Sequence, residues 1–256
     1  ERINEQVLQA ASTVSGCAHI EANLLDEITA LVEFPVDVTG SFDEKFLSLP
    51  KEVLITTMQT NQKYFPLLDE HGALLPFFIT ISNIQSNNPA FVSHGNERVI
   101  RPRLSDAEFF WQQDSKTTLA DRVDSLNNVV YQHALGSLGD KTQRVAALAA
   151  TLAELLGCDV ALATRAAQLS KTDLVTDMVG EFASLQGVIG RYYAVQNGEP
   201  QDVASAIEEQ YLPKQSGGAL PMTKTGQVLA LSDKLDTLVG IFSVGLLPTG
   251  EKDPFA

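Results

Sequence analysis

The chain has few of the residues that announce a chemistry. Its 256 residues include two cysteines, four histidines, three methionines and one tryptophan. Cys17 and Cys158 lie far apart and neither has a CxxC partner, which argues against a disulfide framework or a zinc site. Both are expected to be small buried hydrophobes of a cytoplasmic protein. His19, His71, His94 and His133 form no HExxH pattern and have no obvious metal spacing. There is no nucleophile elbow. Gly136-Ser-Leu-Gly139 is too short for a phosphate-binding loop and lacks the Gly-Lys-Ser that would follow. No apolar run approaches the ~18–20 residues of a membrane span. The polar start, Glu1-Arg-Ile-Asn-Glu, is not a signal peptide, and a start without Met is expected of a cut or processed chain.

What is present is acid. The formal net charge is −14, unevenly spread. Residues 1–50 carry 2 basic and 9 acidic side chains, residues 51–116 carry 6 and 7, and residues 117–256 carry 10 and 16. Any contact with phosphate must use local basic patches on an acidic body. The densest patch is Asn96-Glu-Arg-Val-Ile-Arg-Pro-Arg-Leu-Ser-Asp-Ala-Glu-Phe-Phe-Trp111, with Arg98, Arg101 and Arg103. Arg98 and Arg101 are three apart and share a helical face. Lys51 and Lys63 are second candidates for the same patch. The competing reading pairs these arginines with Glu97, Asp106 and Glu108. Of Phe109, Phe110 and Trp111, two are expected in the core, although such rings also stack on bases.

Apolar spacing predicts helices in the first forty residues, the second of them stopped at Pro35. Lys51 to Thr60 reads as a helix beginning near Pro50, with a buried strand as the alternative. Lys63–Leu68 and Leu74–Ser82 flank the turn residues Asp69-Glu-His-Gly72 in a hairpin pattern, and a helix begins near Val92. Residues 1–116 are therefore expected to be α+β. From residue 117 helix follows helix: 119–130, 141–156, 159–171, 174–182, 187–195, 203–211 and 225–242, punctuated by Gly157, Gly198 and Gly217-Gly218. Residues 117–256 are expected to form an all-α domain, ending in a loop, 245–256, with three charges.

Several long strings carry a resemblance. They are Leu49-Pro-Lys-Glu-Val-Leu-Ile-Thr-Thr-Met-Gln-Thr-Asn-Gln-Lys-Tyr-Phe65, Gly95-Asn-Glu-Arg-Val99, Leu104-Ser-Asp-Ala-Glu-Phe-Phe-Trp111, Gly136-Ser-Leu-Gly-Asp-Lys141, Lys171 to Gly187, and Leu231 to Ala256. Over roughly residues 45–256 the chain resembles the β subunit of the bacterial heterotetrameric glycyl-tRNA synthetase. Residues 1–44 carry little of that signal. The resemblance implies an α2β2 ligase that joins glycine to its tRNA. ATP and magnesium would act at the separate α subunit, and the β subunit would serve tRNA recognition and assembly. It implies a B3/B4-like α+β domain, 1–116, then an HD-like helical domain, 117–256, as the middle of a longer cytoplasmic subunit with no membrane part. On this reading there is no catalytic residue and no cofactor in the chain, and the candidate tRNA-binding residues are Arg98, Arg101, Arg103, Lys51 and Lys63.

The helical part also invites comparison with HD phosphohydrolases, which hold a metal with histidines and aspartates on facing helices. Asp173 would match the motif Asp and Asp233 the late Asp, but Thr172 stands where that motif has His. Two carboxylates without imidazoles are too few for a metal, so a degenerate, metal-free domain is expected. A metal-dependent phosphohydrolase or an aminoacyl-tRNA editing hydrolase is the alternative. Asp173, Asp177 and Glu181, at i, i+4 and i+8, read either as a solvated acidic face or as partners of Lys171 or Lys234.

Overall fold

The computed structural model describes residues 1–246, and the expected terminal loop lies outside them from Leu247 on. The chain forms two compact units, Glu1–Gln112 and Gln113–Ala256.

The first unit is a four-stranded antiparallel sheet with helices. In chain order it has α1 (Arg2–Thr13), β1 (Cys17–Ala18), α2 (Ala22–Leu31), β2 (Val36–Ser41), α3 (Lys51–Thr56), β3 (Phe65–Leu68), β4 (Leu74–Ser82) and α4 (Pro89–Asp114). The last two residues of α4 belong to the second unit. The strand order is β1-β3-β4-β2. Asp69 makes the β3–β4 turn by accepting the N–H groups of His71 and Ala73 at 2.9 and 2.8 Å. Ile3, Val7, Ala10 and Ala11 of α1 and Leu24 and Ile28 of α2 form a core with Phe65, Leu67 and Ile79.

The segment from Lys51 is a helix, continued by a π-helical turn at Thr57–Asn61. Pro50 at its N-cap and the burial of Val53, Leu54 and Met58 favour helix over strand here. Phe78 lies opposite Gly40 in the register. A Cβ at Gly40 would run into that ring, so the position requires glycine. Tyr64 stacks on the same ring, centroids 4.4 Å apart.

The short strands β1 and β2 were not expected, and β2 leaves an open edge. Helix α4 covers it. Glu97 accepts from the N–H and the hydroxyl of Ser41, both at 2.9 Å, and Ser93 donates to Thr39 O at 2.7 Å. Tyr64 donates to Asn96 at 2.8 Å on the same side of the helix. Ile100, Leu104 and Ala107 are fully buried along α4. Of the aromatic cluster, Phe109 is exposed and Phe110 and Trp111 are half-buried, so none is core. Phe109 stands at neither i+3 nor i+4 from Leu104 or Ala107, so its ring points away from that apolar stripe.

The second unit continues with β5 (Val130–Gln132), β6 (Gly136–Ser137), α5 (Leu138–Leu156), α6 (Val160–Leu169), α7 (Asp177–Glu181), α8 (Val188–Gln196), α9 (Gln201–Glu209) and α10 (Lys224–Ser243). It is not wholly α: residues Ala120–Asn128 are 3-10 helix rather than α, and β5 and β6 make a small hairpin. The hairpin leads into a capping box. Ser137 Oγ accepts from Asp140 N–H, and Asp140 accepts from Ser137 N–H. Gly157 ends α5 at φ +64°, where a side chain would be strained. Buried alanines, Ala146, Ala149 and Ala153 on α5 and Ala163, Ala166 and Ala167 on α6, let the two helices pack closely. Cys17 is exposed and Cys158 half-buried, which corrects the expectation that both are core. Their neighbours explain it: Cys17 sits on a two-residue edge strand, and Cys158 follows the glycine cap of α5. No helix among the described residues is long and apolar enough to cross a membrane.

Glu97→Ala is expected to lower stability by about 1–3 kcal/mol, because Ser41 N–H and hydroxyl lose a charged acceptor in a half-buried place. Amide exchange at Ser41 should quicken at the same time. Unchanged thermal stability and unchanged exchange at Ser41 would show that Glu97 does not hold this edge.

Candidate functional site

Two places in the molecule gather the residues singled out above, one in each unit. The first is the outer face of α4. Arg98, Arg101 and Arg103 are all exposed, and among the described residues none makes an ion pair. Two of the three carboxylates that could neutralise them are engaged elsewhere, while Asp106 is exposed and among the described residues makes no ion pair with them. Glu97 holds Ser41 and lies 3.7 Å from His94, and Glu108 pairs with Lys45 at 2.9 Å. At about 100° per residue Arg98 and Arg101 lie on one face, whereas Arg103 is displaced around the helix from both. Pro102 removes one helical N–H between them. Lys51 and Lys63 have other partners: Lys51 donates to Gly72 O at 3.1 Å, and Lys63 pairs with Glu27 at 2.9 Å. The available cations are therefore the three arginines.

The second place is a buried charge cluster between α5, α10 and the segment after α6. Lys171 follows α6 and is 6% exposed. Its ammonium lies 3.3 Å from Asp233 Oδ2 and 4.5 Å over the Tyr211 ring. Lys141, 3% exposed, reaches Asp233 Oδ1 at 3.2 Å and Asp236 Oδ2 at 3.3 Å, and donates to Thr237 at 2.7 Å. Arg144 grips Asp236 with two nitrogens, at 2.7 and 3.2 Å. Burial pushes the Asp233 carboxyl up, but Lys171 and Lys141 together hold it below the ordinary carboxylate value. Burial pulls the Lys171 ammonium down against the attraction of Asp233. Both carboxylate oxygens of Asp233 thus face ammonium groups. Among the described residues no three His, Cys, Asp or Glu side chains gather as metal donors.

Asp173 and Thr172 do different work from the motif residues they resemble. The α6 helix ends at Leu169, so both lie on a 3-10 turn. Thr172 donates to Leu169 O at 2.7 Å. Asp173 is fully buried and accepts the N–H of Gly187, the N-cap of α8, at 2.5 Å. A Cβ at Gly190 would lie 2.9 Å from the same carboxylate. Burial raises the Asp173 carboxyl to about 6, against the pull of Gly187 N–H and Lys171. Asp177 and Glu181 are exposed, so the three acids form no single face. Lys234 pairs with none of them and donates instead to Gln210 O and Leu212 O, at 3.0 and 2.7 Å. His133 is exposed on the β5–β6 turn.

Beside the cluster opens a groove of about 910 Å³, with Asp233, Tyr211, Gln210, Lys234, Thr237 and Phe242 in its wall. Lys141 and Arg144 were not anticipated. The signal was available: Lys141-x-x-Arg144 on one helix matches Asp233-x-x-Asp236 on another, each pair on one face at i, i+3. Asp114 was also missed. Nearly buried, it accepts from Arg122, from Tyr193 OH and from the N–H groups of Asp177 and Met178, at 2.9–3.2 Å.

A family model described as glycyl-tRNA synthetase beta subunit matches residues 1–256, including the first 44 that carried little signal. The chain belongs to the glycyl-tRNA synthetase β-subunit family. It is 57% identical over all 256 residues to the glycine–tRNA ligase β subunit of Stutzerimonas stutzeri (strain A1501). It is 55% identical, again over its full length, to those of Pseudomonas fluorescens and Chromohalobacter salexigens. In each case it spans 37% of the relative's length.

The cluster makes two predictions. Asp233→Ala leaves Lys141 and Lys171 buried without their shared counter-charge, and is expected to cost about 3–5 kcal/mol in chemical denaturation. Asp173→Asn keeps an acceptor for Gly187 N–H but removes the charge. An acid whose folded pKa is raised contributes stability that is full below its unfolded value, about 3.9, and lost as pH rises through the folded one, about 6. Above pH 6 the Asn variant should therefore match or exceed the wild type by on the order of 2–3 kcal/mol, with the gap closing towards pH 4. A gap that stays constant over that range would show that Asp173 is not the titrating group.

Proposed function

We propose that this chain is a non-catalytic tRNA-recognition and assembly portion of a cytoplasmic glycine–tRNA ligase, working with an α subunit in an α2β2 enzyme. ATP and magnesium would act in the α subunit. The observation that carries the reading is the pair Arg98 and Arg101: exposed, on one helical face, and free of ion pairs among the described residues. On a chain of net charge −14, three unneutralised guanidinium groups along one helix are a local attraction for phosphate. Exposed Phe109 on the same helix adds a ring able to stack on a base. We read the first unit as B3/B4-like and the second as HD-like. In the second, ammonium groups sit on Asp233 and Asp173 caps a helix. Both aspartates are thereby committed to holding the fold, which disfavours the phosphohydrolase reading and with it metal-dependent chemistry there.

The test is a comparison of Arg98→Ala, Arg101→Ala and Arg103→Ala in the assembled heterotetramer. Removing a guanidinium that touches a phosphate should weaken tRNA binding and reduce the salt slope by about one unit. Melting temperatures should stay near wild type, because among the described residues these side chains have no hydrogen-bond or ion-pair partner. Unchanged tRNA affinity in all three would remove this face from the tRNA path. For the hydrolase alternative, near-stoichiometric transition metal in the purified protein, absent from Asp173→Ala, would overturn the metal-free reading.

A further inference from the structure

Helix α10 is apolar on two faces. Val228, Leu229 and Ile241 are buried in the second unit. On another face Leu231, Leu235, Leu238 and Phe242 follow one another at intervals of four, three and four. That is the a/d spacing of a helix seam, and it keeps the four side chains in line over three turns. Leu231 is 43% exposed, Leu238 55%, Phe242 47% and neighbouring Val239 64%. The groove of about 910 Å³ borders the row on one side and takes in Leu238, Ile241 and Phe242. On the other side Leu238, Val239, Phe242 and Ser243 form a shallow, open surface. A helix apolar on both faces is normally buried on both.

We infer that this seam is covered by an α-helix from the remaining polypeptide of the full-length subunit, one carrying its own apolar side chains at the same spacing. The 4-3-4 row specifies a helix as the occupant. The size of the patch specifies where that helix comes from. Four or five side chains offer a few hundred Å² of apolar surface, well short of the roughly 800 Å² per partner at which separate proteins associate stably. A segment of the same polypeptide needs no such area, because its tether holds it at millimolar effective concentration. The supply exists, since the related β subunits are far longer than the 37% of their length that this chain spans. The inference rests on family membership and on α10. It does not depend on the tRNA reading.

The experiment places the photoreactive residue p-benzoyl-phenylalanine at Leu238 in the full-length β subunit, and in a second variant at Phe242. A control carries it at exposed Asp202. Isotope-labelled and unlabelled subunits are mixed, irradiated with and without the α subunit, and the cross-linked peptides mapped. The expected result is cross-linking from 238 and 242 to a peptide of the same chain outside residues 1–256, at several times the control yield, without the α subunit. Cross-links joining labelled to unlabelled chains would mean a second copy covers the seam. Cross-links that require the α subunit would place that subunit there. Either result overturns the inference, as would a yield no higher than at position 202.

Discussion

The helical unit depends on one electrostatic arrangement: two aspartates on α10 set against a lysine and an arginine on α5, with Lys171 closing it from the end of α6. Taking these charges out of water costs several kcal/mol for each ion, and attraction at about 3 Å returns that cost only where the geometry is satisfied on all sides. Here it is. Asp236 receives a two-pronged arginine, Lys141 adds a threonine hydroxyl, and the two lysines rest on the faces of Tyr131 and Tyr211 at 4.8 and 4.5 Å. Apolar side chains of similar volume would hold three elements together about as firmly, but they would not fix which turn of α10 meets which turn of α5. Matched i, i+3 pairs do fix it, because a slip by one turn separates both pairs at once. The cluster therefore acts on register more than on total stability.

The same economy explains the glycines around Asp173. A fully buried carboxylate needs donors, and the nearest are the backbone N–H groups at the start of α8. Reaching them requires Gly187 at φ +82° and a hydrogen atom alone at Gly190. In sequence this looks like a Gly-x-x-Gly turn ahead of a helix, which also fits close helix packing. Its cause is an acid fourteen residues earlier in the chain.

The sequence was most legible where a local rule decides the outcome. Periodicity gave α1, α2, α5, α6 and α10, turn chemistry gave the β3–β4 hairpin, and Gly157 gave the end of α5. It was least legible where partners are distant. Strand β2 has only six residues, with glycine and aspartate among them, and exists because β4 and α4 supply its hydrogen bonds. The 3-10 segment at 120–128 has Val123 and Leu126 at helical spacing, but Asp121, Asp124, Ser125, Asn127 and Asn128 are weak helix formers, a signal that the spacing alone does not show. In the candidate sites, the arginines were readable as a cluster, but whether they were free was not. That depended on Ser41 and Lys45, more than fifty residues away, having already taken Glu97 and Glu108.

That prior engagement is also what makes an acidic chain compatible with a polyanion. At physiological salt a surface charge is felt over about 8 Å, so a phosphate near α4 responds to the charges of that face and little to the net −14 of the whole. Glu97 and Glu108 lie on the same helix as the arginines and would cancel much of their field if they were free. Glu97 instead turns inward to the β2 edge, where it accepts two hydrogen bonds and its charge is stabilised by the Ser41 N–H and hydroxyl. Glu108 carries its own lysine. The fold thereby turns Glu97 and Glu108 away from the arginines of this helix and leaves exposed Asp106 as the acid nearest Arg103 in sequence, and for Glu97 an edge strand that needed covering supplies the means.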